Sequence, residues 1–134
     1  MYIDKELLLS DEQIICNAGS EYSTNTIDLG AAKNLSKGKQ LYVVVVIDVV
    51  IDTLTSVNFQ VVTDTSETLA GATVQMETGA IARASLTAGR APIVIPVGSA
   101  LGTEERYLGL YYVIPDTNYN VAGKVTAFVA FDSP

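Results

Sequence analysis

Alternation of apolar and polar residues dominates the chain. Val57, Phe59 and Val61 alternate with Asn58 and Gln60, the two-residue period of a strand with one face buried. Thr73 to Glu77 repeats the pattern and puts Val74 and Met76 inward. Between Ile81 and Thr87, Ala82, Ala84 and Leu86 share one face, with Arg83, Ser85 and Thr87 on the other. A last strand carries Val125, Ala127, Val129 and Phe131 on one side and Lys124, Thr126 and Phe128 opposite.

Two runs, Leu41–Ile47 and Tyr107–Ile114, are apolar on both faces and are expected to be central strands covered on both sides. Their richness in Val, Ile and Tyr favours strand over a buried helix. Gly30, Gly38, Asp64 to Ser66, Gly79, Gly89 to Pro92, Gly98, Gly102 and Pro115 to Asn118 punctuate the chain as turns. About eight short strands at such spacing predict a sandwich or a barrel. Helix is scarce: Ser66 to Ala70 has room for one turn, and Asp4 to Gln13 has helical propensity without an amphipathic repeat. The opening is read as an extended arm followed by an early strand within residues 1–25. No linker, charge block or internal repeat divides residues 1–134, which reads as one domain.

Composition narrows the function classes. A net charge of −7 opposes binding to a phosphate backbone. Lys33, Lys37 and Lys39 cluster only around a loop glycine, as a solvated loop would. Neither nucleic acid nor a membrane is an expected partner. The longest apolar run falls far short of the ~20 residues that span a bilayer. The opening also lacks the apolar region of a signal peptide, so synthesis in a cytoplasm without export is expected. Cys16 is the one cysteine; it lies in an apolar stretch and reads as a small buried hydrophobe.

The chain has no His, which removes the commonest general base, ordinary zinc sites and any Ser–His–Asp arrangement. Two-carboxylate catalysis would draw on Asp48 and Asp52, one face of a continuous strand, though their apolar neighbours suit a strand end meeting solvent. Asp64 with Glu67, and Asp116 with Asn118, supply too few ligands for calcium and fit ordinary turn chemistry. No enzyme, cofactor or metal is expected. Tyr107, Tyr111, Tyr112 and Tyr119 gather toward the C-terminal third. Tyrosine suits an interface, with its apolar body and polar tip, and also suits sugar stacking. Tyr111 and Tyr112 are adjacent in a strand, so one packs inward while the other faces out.

Two opening blocks carry a likeness: Tyr2-Ile3-Asp4-Lys5-Glu6-Leu7-Leu8-Leu9-Ser10-Asp11-Glu12-Gln13, and Ser23-Thr24-Asn25-Thr26-Ile27-Asp28-Leu29-Gly30 leading to Gly38 and the Leu41–Ile47 run. Late in the chain come Gly102-Thr103-Glu104-Glu105-Arg106-Tyr107-Leu108-Gly109-Leu110-Tyr111-Tyr112-Val113, then Ala122 to Phe128 and Asp132. In order and spacing these resemble the capsid cement (decoration) proteins of short-tailed bacteriophages. The middle, from Asp52 to Pro92, matches least.

The resemblance implies a jelly-roll antiparallel β-sandwich with an extended N-terminal arm. Such a protein self-associates, as a homodimer by preference or a trimer. It binds the major capsid protein on the outer surface of an icosahedral head, fastening neighbouring capsomers. An acidic exterior protein would not compete for packaged DNA. Contact residues are expected in the arm (Tyr2, Ile3, Leu7, Leu8 and Leu9) and in the late strand (Arg106, Tyr107, Tyr111 and Tyr112). The alternatives are a carbohydrate- or receptor-binding sandwich of a phage tail and, more remotely, a glycosidase-like enzyme using Asp48.

Overall fold

The computed structural model describes residues 7–15, 20–33, 41–51, 55–97, 105–115 and 123–130. Nine strands follow in chain order: β1 (Leu8–Ile14), β2 (Glu21–Tyr22), β3 (Ile27–Lys33), β4 (Leu41–Val49), β5 (Ser56–Asp64), β6 (Thr73–Ala82), β7 (Ile93–Val97), β8 (Glu105–Val113) and β9 (Lys124–Ala130). They form two sheets. Sheet A has the order β1-β9-β4-β7; sheet B has β2-β8-β5-β6, with β3 also pairing β8. All pairings are antiparallel.

The pairings nest: β1 with β9, β2 and β3 with β8, β4 with β7, and β5 with β6. A chain folded back as one long hairpin and then wound into two sheets has this order, which is the jelly-roll form of a sandwich. β2 and β3, sharing β8 as partner, are the halves of one interrupted strand. Counting them together leaves eight.

The inner faces fill a common core. Val43, Val45 and Ile47 of β4, Val125, Ala127 and Val129 of β9, and Ile93, Ile95 and Val97 of β7 come from sheet A. Val57, Phe59 and Val61 of β5, with Leu108, Leu110 and Tyr112 of β8, come from sheet B. Phe59 and Tyr112 meet edge to face with ring centroids 5.7 Å apart. Alternation therefore places β5 and β9, and the apolar runs place β4 and β8, as strands where expected. β4 and β8 are central in their sheets, but the outer side of β8 is only partly covered, Tyr107 and Tyr111 staying half-buried.

Three sequence expectations change. Val74 is 45% exposed, whereas Met76 packs against the core. Val61 pairs Met76 and Val62 pairs Val74, so Gln75 is an extra residue at a register shift, and such a bulge turns the preceding side chain to the other face. The strand over Ile81–Thr87 stops at Ala82, because a 3-10 turn over Arg83–Ser85 follows. The turn delivers Leu86 into the core while Ala82 and Ala84 stay exposed. Third, Leu8 to Gln13 is not a free arm: these residues belong to β1, paired along β9.

Candidate interaction surface

β1 is irregular, and the irregularity organises one corner of the sandwich. Register shifts fall between Leu8 and Ser10 and between Ser10 and Gln13, and Glu12 sits at φ 47°, a region costly for a residue with a Cβ. Leu9 and Ser10 are consequently both fully buried. The Ser10 hydroxyl lies 2.6 Å from the Tyr112 hydroxyl and donates to Gln13 Oε1, also at 2.6 Å. Gln13 Oε1 accepts from the Thr24 amide at 2.9 Å, and Gln13 Nε2 donates to the Tyr22 carbonyl at 3.0 Å. Gln13 thereby ties the edge of sheet A to the start of sheet B, satisfying polar groups that burial would otherwise penalise.

Burial pushes the Tyr112 hydroxyl well above the ordinary phenol range, so it stays neutral. Burial also raises the Glu21 carboxyl above its ordinary value of 4.5, with a hydrogen bond to Gln13 partly offsetting the shift. Glu21 Oε1 has no hydrogen-bond partner among the described residues.

The outer face of sheet B carries a second feature. Tyr107, Gly109 and Tyr111 point there, opposite Leu108, Leu110 and Tyr112. Tyr111 stacks on Tyr22 with centroids 4.4 Å apart and planes tilted by 32°. Beside them, Gln60 and Asn58 donate to Glu77 Oε2 at 2.8 and 3.2 Å. Arg106 grips Asp28 with two hydrogen bonds of 2.7 and 2.8 Å, and its guanidinium lies 5.3 Å from the Tyr107 ring centroid. The Asp28 hydrogen bonds keep Arg106 firmly charged. The Tyr22 phenol is raised by burial and, less strongly, by Tyr111 and Asp64.

The β5–β6 turn folds onto this face. Leu69, at φ 60°, is 1% exposed, and its side chain occupies the space a Cβ on Gly109 would need. Ser23 Oγ accepts the Leu110 amide at 3.1 Å beneath it. Between β1, the β2–β3 link and this turn opens a cleft of about 590 Å3.

The candidate contact residues thus separate. Arg106 is exposed, and Tyr107 and Tyr111 are half-buried on one outer face. Leu8 is half-buried, and Leu7 packs partly against the core. Leu9 and Tyr112, at 0% exposure, are core residues and offer no surface to a partner. Alternation could not decide which of Tyr111 and Tyr112 turns inward; the pairing of Phe59 with Tyr112 does. Tyr2, Ile3, Cys16, Asp52, Asp116, Asn118, Tyr119 and Phe131 lie outside the described residues.

For the chemical alternatives, β4 ends at Val49, and Asp48 accepts a hydrogen bond from Thr126. Asp64 accepts from the Thr65 amide at 2.7 Å, the local turn chemistry expected of it. Among the described residues no group of three or more His, Cys, Asp or Glu gathers to hold a metal, and no helix is long and apolar enough to cross a membrane.

Comparison with known proteins adds one finding. No curated protein matches the chain, but the Bbp16 family model matches residues 9–129, a span that runs from the first core residue of β1 into β9. The chain belongs to the Bbp16 family, a membership consistent with a phage-associated protein.

Proposed function

We propose that this protein is a structural component of a phage virion that binds the outer surface of an icosahedral head and fastens neighbouring capsomers. Its partners are then the major capsid protein and further copies of itself, in a dimer by preference. One observation carries the reading: the outer face of sheet B is a built but incompletely covered surface, where Arg106, Tyr107 and Tyr111 stand on the central strand β8 and Tyr22 of β2 stacks on Tyr111. Tyr and Arg are the residues that anchor interfaces.

The sheet edges favour attachment through a face. β1 and β6 carry register shifts, and β7 contains Pro96, devices that discourage a partner from adding a strand. A protein that binds the expanded shell stabilises that state by mass action, and an oligomer engaging several capsomers gains effective affinity without new contact chemistry. The absence of His is no handicap to such a role.

The test is co-sedimentation of the full chain with expanded, cement-free heads of its own phage. Saturable binding at a fixed copy number per capsomer is expected; absence of binding to intact expanded heads would overturn the proposal. The part played by the opening residues needs a deletion that spares β1. Removing residues 1–9 takes Leu9 from the core and is expected to cost about 2–5 kcal/mol, whereas removing residues 1–6 leaves β1 in place. The shorter deletion is expected to stay folded and lose head occupancy, read by thermal unfolding and sedimentation; full occupancy would remove the arm from the interface.

A carbohydrate-binding role draws on the same tyrosines beside Gln60 and Glu77. Tyr22 and Tyr111 already cover one ring face of each other, which weakens that reading. Saturable glycan binding lost in Tyr111→Ala would revive it.

A further inference from the structure

The cleft of about 590 Å3 lies within the ~300–1,000 Å3 of ordinary ligand sites. Three separate stretches wall it: β1 through Leu8 and Asp11, the β2–β3 link through Tyr22 to Thr26, and the β5–β6 turn through Glu67 to Leu69. Its backbone is pinned. The Asn25 amide donates to the Leu9 carbonyl at 2.9 Å, the Ser23 amide to the Leu110 carbonyl at 2.8 Å, and the Leu69 amide to the Ser66 carbonyl at 3.1 Å. A pinned wall needs little further ordering when a ligand enters.

Ser23, Thr24 and Thr68 spend their hydroxyls within the protein, but four other polar side chains of the walls are unspent. Asp11, Asn25, Thr26 and Glu67 make no hydrogen bond or ion pair through their side chains to another described residue. Asp11 and Glu67 are the charged groups of the lining, both acidic and both exposed. Among the described residues no Lys or Arg lines the cleft, and the whole chain carries −7. An anionic ligand would be repelled. An ammonium or guanidinium group would find two carboxylates for charge-assisted hydrogen bonds, hydroxyl and amide groups for an accompanying backbone, and Leu8 for its methylene stem.

We infer that this cleft is a docking site for a basic, extended segment of a partner protein, whose Lys or Arg is received by Asp11 and Glu67. The inference rests on reading the chain as an attachment protein and names the chemistry its partner presents there.

The experiment has two arms. In the first, the isotope-labelled full chain is titrated by NMR with an acetylated Ser-Lys-Ser-Arg-Ser amide, with the same peptide carrying acetyl-lysine and citrulline, and with a neutral oligosaccharide. The charged peptide is expected to shift resonances of cleft residues, and the affinity to fall about tenfold in D11N/E67Q or with neutralised peptide. No shift at the cleft with charged peptide, or a stronger response to the oligosaccharide, would overturn the inference. Both substitutions are at exposed positions, so folding is preserved and checked by the remaining spectrum. In the second arm, wild type and D11N/E67Q are sedimented with heads at low and high salt. A weaker, less salt-sensitive variant supports the cleft's role on the head, and equal binding with equal salt slopes overturns it. A wild type that takes the basic peptide in its cleft yet ignores heads would refute the head-binding proposal and leave the basic-segment site standing.

Discussion

The outer faces of the two sheets solve the same problem differently. In sheet A, β4 reads as apolar throughout, and its outward Val44 sits in a row across all four strands: Leu8 beside Phe128, Phe128 beside Val44, Val44 beside Val94. Val44 and Phe128 are 0% and 2% exposed, though neither belongs to the inter-sheet core. In sheet B, β8 reads just as apolar, but its outward positions are Tyr107, Gly109 and Tyr111. There, among the described residues, burial gathers around Val62 and Leu69, over Gly109, and at Asp64 beside Tyr107, while the tyrosines stay half-covered. On sheet A, Val44 and Phe128 make a centre removed from water, with Leu8, Tyr42, Val46 and Val94 half-buried around it. Tyrosines flanking a glycine make a face that holds its shape and still has surface to give.

The largest expected effect breaks that contrast directly. Phe128→Ala should cost about 3–5 kcal/mol in thermal or denaturant unfolding, as for a fully buried aromatic. Tyr111→Ala should cost about 0.5–1.5 kcal/mol for the lost ring pair, with its main effect on head occupancy. If both variants lost stability equally, the two faces would not differ in kind.

Next in size, Gly109→Ala should cost about 1–3 kcal/mol, because its Cβ overlaps Leu69 and forces it from its seat. In Leu69→Ala that overlap is gone, so adding Gly109→Ala should cost far less than in wild type. Additive costs in the double-mutant cycle would show that Leu69 is not what the glycine accommodates.

The smallest effect concerns the polar corner. Glu21 has a folded-state pKa raised by burial, so its favourable contribution is complete below its ordinary value of 4.5 and is lost as pH rises through the folded value. Glu21 should therefore pull stability down across that window, and Glu21→Gln should remove that pull, measured as the difference between wild type and variant in unfolding at a series of pH values. A difference that stays constant with pH would contradict that role for Glu21.

Sequence legibility followed regularity. β5 and β9 could be read because alternation runs unbroken through branched and aromatic residues, and β4 because an apolar run so rich in Val and Ile favours strand. β1 could not: its shifts bury both Leu9 and Ser10, so the period disappears and the stretch passes for an arm. Val74 failed for the same reason, one extra residue at Gln75. The jelly-roll form came with the likeness to capsid cement proteins, since alternation cannot say which strand pairs with which. The corner and the cleft carried no local signal. Ser10 and Tyr112 are 102 residues apart in sequence, and the cleft joins three distant stretches. Only the crowding of tyrosines hinted that this side of the molecule has work to do; Glu67 read as ordinary turn chemistry, and Asp11 only as part of the opening block.

The most direct measurement is hydroxyl-radical footprinting of the tyrosines, free and bound to heads. Tyr42 lies on the outer face of sheet A, between Ala130 and Pro96, and is half-buried like Tyr107 and Tyr111. The account predicts that Tyr107 and Tyr111 lose reactivity on binding while Tyr42 keeps it. Protection of Tyr42 with Tyr107 and Tyr111 unchanged would put the attachment surface on the other sheet and contradict the account.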